Sequence, residues 1–411
     1  MEQLTLNLQS AILDAYRENG GKINNRVLYK KVAERLGLQN ESENRAPVGK
    51  SGAMHNLFNR KVRWIQQNLK AMGVLRPSER GVWEYLEPVS DKLSAVKAGF
   101  TLLGFSTRLG VALLGSCESA LANLDAPISL ILTSPPYPLA RARDYGNPKL
   151  AEYIDWFCKT IEPVIKNLRD GGTIALNLSG DIFEKGSPAR STYIERLIIA
   201  LEDRMGLKML DRIIWHNPSR PPGPVEYASI RRVHLNATYE FVIWMTNNPK
   251  AITSDNRRVL QEHSEKHQRF IANGGVLRAD SHSDGAHRKR VGSYSNQTAG
   301  KIPRNVLQIS HTCASQKQYK ADVREHGLPA HGAPMPLRLA RFLIDFMTKP
   351  DDLVVDPFAG SFTTGKAAED AGRRWICCEK IVQYVQGGSH RFSTSEGYFP
   401  SLFGCAAKVV G

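Results

Sequence analysis

The strongest constraint on how this chain can fold lies at residues 128–137. An apolar run over residues 128–133 ends in the tetrapeptide Ser134-Pro135-Pro136-Tyr137. Two consecutive prolines cannot continue a strand, because each removes a backbone donor and fixes φ. The pattern therefore predicts a buried strand that stops abruptly and presents a hydroxyl, backbone carbonyls and an aromatic ring at its end. In open α/β sheets, ligands bind at that edge.

A second candidate site lies more than 200 residues further along the chain. A strand pattern over residues 353–356 runs into the small residues of positions 359–361, and a short helix leads to a strand that ends at Glu379. Small residues let a ligand approach the backbone, and an acidic side chain after the next strand suits the two hydroxyls of a ribose. Phosphate-binding loops fit poorly, since neither GxGxxG nor Gly-Lys-Ser/Thr occurs there. The pattern predicts a nucleoside cofactor without a pyrophosphate, and S-adenosylmethionine is the leading candidate.

Strand and helix patterns alternate from about residue 105 onward, which favours a doubly wound α/β domain with a mostly parallel sheet, over residues 105–411. Strand patterns at 210–215 and 239–245 follow each other without a helix between them and predict an antiparallel addition at one edge. A helix pattern over 153–165 contains Pro163, which predicts a break or kink.

The pattern of residues 1–88 predicts a separate small domain. Three helical runs precede a hairpin with its tip at residues 76–81, and a polar link covers residues 39–52. This order resembles a winged helix-turn-helix, and the third helix carries Arg60, Lys61 and Arg63, where such folds contact DNA. The alternative is a protein-interaction domain with a solvated basic face. Residues 89–104 are predicted to be a linker.

A formal net charge of +15 favours a polyanionic partner, most simply nucleic acid, although an indifferent basic surface would give the same number. Much of the excess falls in an irregular insertion over residues 247–330. Between positions 257 and 304 it holds ten Lys or Arg against four Asp or Glu. We interpret it as a DNA-contacting region rather than a solvated loop. The insertion residues predicted to contact DNA are Arg257, Arg258, Arg288, Lys289 and Arg290.

Several classes of protein are disfavoured. No stretch approaches the roughly 18 apolar residues that span a bilayer, and the N-terminus lacks the form of a signal peptide. Six cysteines in 411 residues do not indicate a disulfide framework. The chain also has no CxxC pair, the pattern that would indicate a zinc or other metal site. Cys377 and Cys378 lie in an apolar run and are predicted core residues. The composition indicates a reducing, cytoplasmic environment.

The two motifs together resemble those of amino-methylating DNA methyltransferases. The segment ending in Ser134-Pro135-Pro136-Tyr137 is similar to their catalytic motif, Asp356-Pro357-Phe358-Ala359-Gly360-Ser361 to their cofactor loop, and residues 331–336 to the motif before it. The order, with the basic insertion between the motifs, is that of the β class. The resemblance implies catalytic roles for Ser134, Pro135, Pro136 and Tyr137. It implies that S-adenosylmethionine is bound by Thr133, Pro336, Asp356, Pro357, Phe358, Ala359, Gly360, Ser361, Thr363 and Glu379.

Ser134 indicates which base accepts the methyl group. In this family Ser before Pro-Pro mostly accompanies cytosine N4, whereas Asp or Asn mostly accompanies adenine N6, which stays as the alternative. Cytosine C5 chemistry needs a Pro-Cys pair, which the chain lacks. The resemblance therefore implies a site-specific cytosine-N4 methyltransferase acting on a base flipped out of double-stranded DNA, in a restriction–modification system with a partner endonuclease. A catalytically inactive DNA-binding regulator is a further alternative.

One position departs from the family. The cofactor loop usually has glycine where this chain has Phe362. We expect an ordinary backbone conformation there, or strain, with the ring packed on the core side and flexibility supplied by Gly365.

Overall fold

The computed structural model describes residues 2–38, 45–48, 53–71, 73–86, 93–96, 99–122, 124–139, 143, 146–281 and 288–401. Within the described part of residues 2–86, three helices surround a core that includes Ile12, Leu28 and Val62. Their bounds are α1 (Glu2–Glu18), α2 (Asn25–Arg35) and α3 (Leu57–Ala71). The predicted wing is a hairpin, and the strand β1 extends it to three strands in the order β1-β5-β4. The strands are β1 (Lys22–Asn24), β4 (Leu75–Glu79) and β5 (Val82–Tyr85).

The predicted polar link differs from the structure. It contains part of a second hairpin, β2 (Arg45–Val48) and β3 (Ala53–Asn56), whose two strands pair antiparallel. Both strands are largely exposed, so no alternation of apolar residues marked them in the sequence.

Nine strands form the sheet of the larger domain within the described residues. Their order across the sheet is β14-β10-β11-β9-β8-β15-β16-β7-β6. The bounds are β6 (Leu102–Ser106), β7 (Gly110–Leu114), β8 (Ile128–Thr133), β9 (Leu168–Leu178), β10 (Lys208–His216), β11 (Tyr239–Thr246), β14 (Val306–Gln308), β15 (Leu353–Asp356) and β16 (Arg374–Glu379).

The centre of this sheet is parallel. Strand β8 lies between β9 and β15, and both pair with it in parallel. Strand β11 is antiparallel to β9 and to β10, which confirms the predicted antiparallel addition, while β6 pairs antiparallel with β7 at the other edge. Every residue of β8 is buried, as expected for a strand covered on both faces.

Helices cover both faces of the sheet. Leu130 of β8 belongs to one apolar cluster with residues of α9 and α10, and its neighbour Ile131 belongs to another with residues of α5 and α6. This arrangement confirms the predicted doubly wound α/β class. The helices of the domain are α4 (Cys117–Ala120), α5 (Tyr153–Ile165), α6 (Tyr193–Met205), α7 (Glu265–Ala272), α8 (Ala314–Glu325), α9 (Leu337–Met347), α10 (Thr363–Asp370) and α11 (Val382–Ser389).

Three details differ from the sequence predictions. Helix α5 is not broken at Pro163 but ends two residues later, so the proline lies in its last turn. Strand β6 begins at Leu102, inside the predicted linker 89–104, of which residues 89–92 and 97–98 lie outside the described residues. The insertion 247–330 is also more ordered than predicted. It contains α7, the short strands β12 (Asp280–Ser281) and β13 (Arg288–Lys289), the sheet strand β14 and α8.

Among the residues that the structure describes, no helix is both long enough and apolar enough to cross a membrane. Cys377 and Cys378 are fully buried in β16, as predicted for core residues.

Candidate active site

The two sequence motifs meet because β8 and β15 are neighbours in the sheet. Parallel strands place their carboxyl ends at one edge, so Ser134 after β8 lies beside Asp356 at the end of β15. The Thr133 hydroxyl donates a hydrogen bond of 2.6 Å to Asp356 Oδ1, across 223 residues of sequence. The predicted catalytic and cofactor motifs therefore form one site.

A cavity of about 410 Å³ opens at this edge of the sheet. The whole Ser134-Pro135-Pro136-Tyr137 segment lines it, and so do the ends of β15 and β16 through Gly360 and Glu379. Its lining from the predicted site residues is Ser134, Pro135, Pro136, Tyr137, Pro357, Phe358, Gly360 and Glu379. Other residues of its wall, which sequence analysis missed, include Arg143, Trp156, Asp181, Arg220 and Glu240, and His331, the first residue of the motif at 331–336, lines it too.

Tyr137 is the centre of a hydrogen-bond network in the cavity wall. Its hydroxyl lies 2.9 Å from Ser134 Oγ, 3.2 Å from the carbonyl oxygen of Asn177 and 3.4 Å from Glu240 Oε2. The Asn177 amide donates to the same Glu240 oxygen at 3.1 Å. Burial raises the pKa of the Tyr137 phenol well above its ordinary value, with a further rise from Glu240. The phenol is therefore neutral at physiological pH.

Glu240 is a half-buried carboxylate that sequence analysis missed. Burial raises its pKa, while Arg220 and the hydrogen bonds from Asn177 and Tyr137 act in the opposite direction. Arg220 in turn donates to Asp181 Oδ2 at 2.5 Å. The sequence does hold a signal for Glu240, since it is an acidic residue at the start of the apolar strand β11.

The end of β16 holds a second half-buried carboxylate. Glu379 accepts hydrogen bonds from the backbone N–H of Gly360 at 2.9 Å and of Ile381 at 2.8 Å, one on each oxygen. Burial raises its pKa, and these backbone donors lower it. The two N–H groups fix the orientation of the carboxylate beside the cavity, and each oxygen keeps a lone pair for a ligand hydroxyl.

Asp356 lies behind the cavity wall. It accepts from the Thr133 hydroxyl and, at 3.0 Å, from the Phe358 backbone N–H. Burial raises its pKa from 3.8 to about 6, against the effect of these hydrogen bonds. Its contacts fix the loop that follows β15, while the loop's own backbone faces the cavity.

Gly360 and Phe362 both have left-handed backbone in this loop. Gly360 has φ +50°, and a Cβ there would lie only 3.0 Å from the His331 ring. Phe362 has φ +59°, so the expected alternative of strain applies. Its ring is fully buried, with its centroid 5.3 Å from that of Phe105, as predicted for packing on the core side. Gly365 does not supply the flexibility, because it lies in α10 and its missing Cβ makes room for Cys377 Sγ.

The remaining cofactor candidates lie behind the cavity and do not line it. Ser361 and Thr363 are buried and share a 3.1 Å contact between their hydroxyl oxygens. Pro336 precedes α9 as its N-cap residue and is buried. The buried candidates outside the lining are Thr133, Pro336, Asp356, Ala359, Ser361 and Thr363.

The predicted DNA contacts separate into two groups. The exposed group comprises Arg60, Lys61, Arg63, Arg257, Arg288, Lys289 and Arg290. Arg257 bonds its own neighbour Asp255 through two nitrogens. Arg258 also has an intramolecular role: its guanidinium donates to the carbonyl oxygens of Asp345 and Phe346, both at 3.2 Å, and of Thr348. Those contacts hold the end of α9, and a DNA contact through Arg258 stays a prediction.

Comparison with known proteins places this site in a family. Residues 128–389 match the family model described as DNA methylase, and residues 7–85 match the model described as Mrr N-terminal domain. The type II methyltransferase M.PvuII of Proteus hauseri is 37% identical over 271 residues, covering 65% of this chain and 79% of that protein. The solved structure of PvuII DNA methyltransferase (cytosine-N4-specific) is 32% identical, with a TM-score of 0.55 over 71% of this chain and 88% of that one.

A more distant relative is named for adenine, the alternative methyl acceptor. The DNA adenine methyltransferase YhdJ of Escherichia coli (strain K12) is 25% identical over 274 residues, covering 66% of this chain and 78% of that protein. The family match spans both motifs of the cavity and more than half of the chain. The protein is therefore a member of the DNA methylase family, and an S-adenosylmethionine-dependent DNA methyltransferase.

Proposed function

We propose that the protein transfers a methyl group from S-adenosylmethionine to the N4 amine of a cytosine flipped out of duplex DNA, at a specific sequence. The observation that carries this proposal is the single cavity shared by Ser134-Pro135-Pro136-Tyr137 and the Gly360–Glu379 pair. Ser before Pro-Pro and the likeness to the cytosine-N4-specific PvuII enzyme favour cytosine N4 over adenine N6.

The residues at the ends of β15 and β16 fit the methyl donor. Gly360 keeps bare backbone at a point where a side chain would fill the space before His331, and the Glu379 carboxylate is held in place by two backbone amides. Glu379 suits ribose hydroxyls, and Phe358 and Tyr384 add aromatic lining for an adenine ring. When bound, S-adenosylmethionine supplies an electrophilic methyl group on a sulfonium.

The hydrogen-bond network assigns a direction to the Ser134 hydroxyl. Tyr137 has one proton, and the Asn177 carbonyl beside it can only accept. We infer that the Tyr137 proton goes to that carbonyl or to Glu240, so that Ser134 donates its own proton to Tyr137. Ser134 Oγ is then left with its lone pairs for the N–H groups of a target amine.

Accepting those N–H bonds is what the reaction needs from Ser134. The lone pair of an exocyclic amine is delocalised into its ring, and hydrogen bonds from the amine to Ser134 Oγ and the Pro135 carbonyl redirect it toward the methyl group. Positioning is thus the main contribution of the chain. Asp181 and Glu240 line the same cavity and provide acceptors for the proton that the amine loses.

Two further parts of the proposal concern partners. The exposed Arg60, Lys61 and Arg63 on α3 support DNA binding by the N-terminal domain. Names of type II methyltransferases among the relatives support a restriction–modification role with a cognate endonuclease in the bacterial cytoplasm. The departure from glycine at Phe362 does not favour the alternative of an inactive regulator, because the Phe362 ring is buried and does not line the cavity.

Nucleoside analysis tests the proposal. The full-length protein is incubated with linear phage DNA and S-adenosylmethionine labelled in its methyl group, and the DNA is digested to nucleosides. We expect labelled N4-methylcytosine; N6-methyladenine as the product, or no transfer, would overturn the assignment. The Ser134→Ala variant should lose at least 100-fold in kcat. Ser254→Ala, which changes a serine outside the cavity, is the matched control.

The direction assigned to Ser134 has its own test. Tyr137→Phe removes the acceptor of the Ser134 proton but keeps the ring, so we expect kcat to fall about 10-fold to 100-fold, as for loss of one positioned hydrogen bond. S-adenosylmethionine binding, measured by calorimetry, should stay within about two-fold. A Tyr137→Phe variant with wild-type kcat would contradict the assigned direction.

A further inference from the structure

The loop between β10 and β11 carries an unusual set of exposed apolar side chains. We name Val225, Ile230, Val233 and Leu235 the crest; they are 60%, 67%, 58% and 89% exposed. Apolar side chains this exposed and this close in sequence commonly mark a binding surface. The crest contributes nothing to either apolar core cluster.

The crest is exposed although its loop is firmly folded. Backbone hydrogen bonds of 2.7 Å close the loop from Asn217 to Thr238 and from Ala237 to Gly223. The buried Tyr227 ring packs against Phe183, with a centroid distance of 4.9 Å. The buried residues of the loop therefore hold it in place, and the crest side chains are exposed at a fixed position on the surface.

Both ends of the loop lie in the wall of the active-site cavity. Arg220 lines the cavity near the start of the loop and Glu240 lines it just after the end. Arg220 ties the two ends together, since it donates to the Tyr239 carbonyl at 3.3 Å and to Asp181. The loop that carries the crest is therefore anchored at both ends in the wall of the site where a flipped base would enter.

The charged residues of the loop between β10 and β11 indicate which kind of partner binds the crest. Arg231 and Arg232 stand exposed between Ile230 and Val233, and residues 217–238 hold one acidic residue, Glu226, against three arginines. Apolar side chains interleaved with arginines match a DNA groove, where cations contact phosphates and an apolar side chain enters the base stack. A second copy of this strongly basic chain would be repelled by the same arginines.

We propose that the crest is a wedge that enters the duplex beside the target cytosine and fills the space which the flipped base leaves. Leu235, the most exposed member, is the side chain that enters the stack. The inference rests on the proposed function, because a wedge has a role only if the target must leave a paired duplex. Unstacking the target base is unfavourable, and the wedge offsets part of that cost.

A comparison of two duplexes tests the wedge. Both are oligonucleotides that carry the methylation site mapped on phage DNA; one is fully paired, and the other has an abasic position opposite the target cytosine. We expect Leu235→Ser to lower kcat/KM at least 10-fold on the paired duplex and less than two-fold on the abasic one, where the base is already unpaired. Ile199→Ser, at an apolar residue of α6 that is 56% exposed and lies outside the insertion and the crest, is the matched control and should be silent on both.

Each other outcome has a defined meaning. An equal loss on both duplexes, or no loss, would overturn the wedge. A loss accompanied by a change in sedimentation from dimer to monomer would also overturn it, and would assign the crest to a second copy of the chain. A wild-type protein that methylates neither duplex would overturn the proposed function itself, and the wedge with it.

Discussion

Phe362 combines an unfavourable backbone with a favourable ring. Its left-handed φ of +59° costs about 1–2 kcal/mol for a residue with a Cβ, whereas burial of a phenylalanine ring is worth about 3–5 kcal/mol. Packing is tight on both sides, since a Cβ added to Gly388 would lie 2.4 Å from the Phe362 ring. The ring therefore outweighs the strain, which explains how the chain departs from glycine in this loop.

This balance predicts an unusual order of stabilities. Both Phe362→Ala and Phe362→Gly should lower the free energy of unfolding in urea by about 2–5 kcal/mol, because both lose the ring. The glycine variant should be the more stable of the two by about 1 kcal/mol, because glycine adopts a positive φ without a steric penalty. Ala367→Gly, inside α10, is the control and should show the usual opposite sign. An alanine variant more stable than the glycine variant would contradict the strain.

Asp356 predicts a dependence of stability on pH. Its pKa is about 6 in the folded protein against 3.8 ordinarily, so the folded state binds a proton between these values that the unfolded state does not. Its contribution to stability therefore improves as the pH falls from above 6 to below 4. At about 1.4 kcal/mol for each pH unit, burial of the charged form costs about 3 kcal/mol at neutral pH.

Replacement of that carboxylate should remove the cost. The amide oxygen of Asp356→Asn can still accept from Thr133 and Phe358, so we expect the free energy of unfolding to rise by up to about 3 kcal/mol at pH 7.5. The gain should shrink toward zero near pH 4, as measured by urea unfolding at both pH values. The exposed Asp351→Asn serves as control. A gain of the same size at both pH values would show that charge is not its origin.

At the level of elements, Arg258 closes the carboxyl end of helix α9. Its guanidinium donates to the Asp345, Phe346 and Thr348 carbonyls, which are among the groups that a helix end leaves without partners. We expect Arg258→Ala to lower the free energy of unfolding by about 1–3 kcal/mol. Arg257→Ala, which removes only a surface pair with Asp255, should change it by less than about 0.5 kcal/mol. Equal effects of the two substitutions would refute the capping role.

The hydrogen bonds of Arg258 are an example of contacts that local sequence patterns do not predict. Local patterns predicted β8, β15 and β16, because a buried parallel strand is a continuous apolar run and its breakers mark the end. They therefore predicted Ser134, Gly360 and Glu379 at strand ends. A positive charge carries no such local sign of its partner, and the carbonyls that bind Arg258 come about 90 residues later.

Glu240 is not predicted, and the left-handed backbone of Phe362 is only one of two expected conformations, for related reasons. Glu240 reaches Tyr137 only because β11 pairs with β9 beside β8, and sheet order is not written in the pattern of any single strand. The backbone of Phe362 depends on the tight turn between Asp356 and α10, and its ring packs beside Phe105 of β6 and Gly388 of α11. Both positions are set by tertiary contacts rather than by local sequence.

At the scale of the whole molecule, the net charge of +15 predicts DNA affinity that depends strongly on salt. If α3 contacts phosphates, the triple variant Arg60→Ala, Lys61→Ala, Arg63→Ala should lower the slope of log Kd against log salt concentration by about 2–3. The matched control removes three exposed cations, namely Lys159 of α5, Lys166 just after it and Arg204 of α6, and should leave the slope within about 0.5. Fluorescence anisotropy with labelled duplex DNA measures both, and equal slopes for the two variants would exclude α3 from the interface.

The hydrogen bond between Thr133 and Asp356 has a consequence for how the protein is made. It joins residues 223 positions apart, and the paired residues of β8 and β15 are 224 positions apart. Contacts this remote in sequence slow folding, because a long loop must close before they form. During synthesis, β8 leaves the ribosome long before β15 has been made. We therefore expect the N-terminal domain to fold first, because the large sheet cannot form until β15 is available to pair with β8 and β16. If the N-terminal domain binds DNA as proposed, the nascent chain can engage DNA before it can modify it.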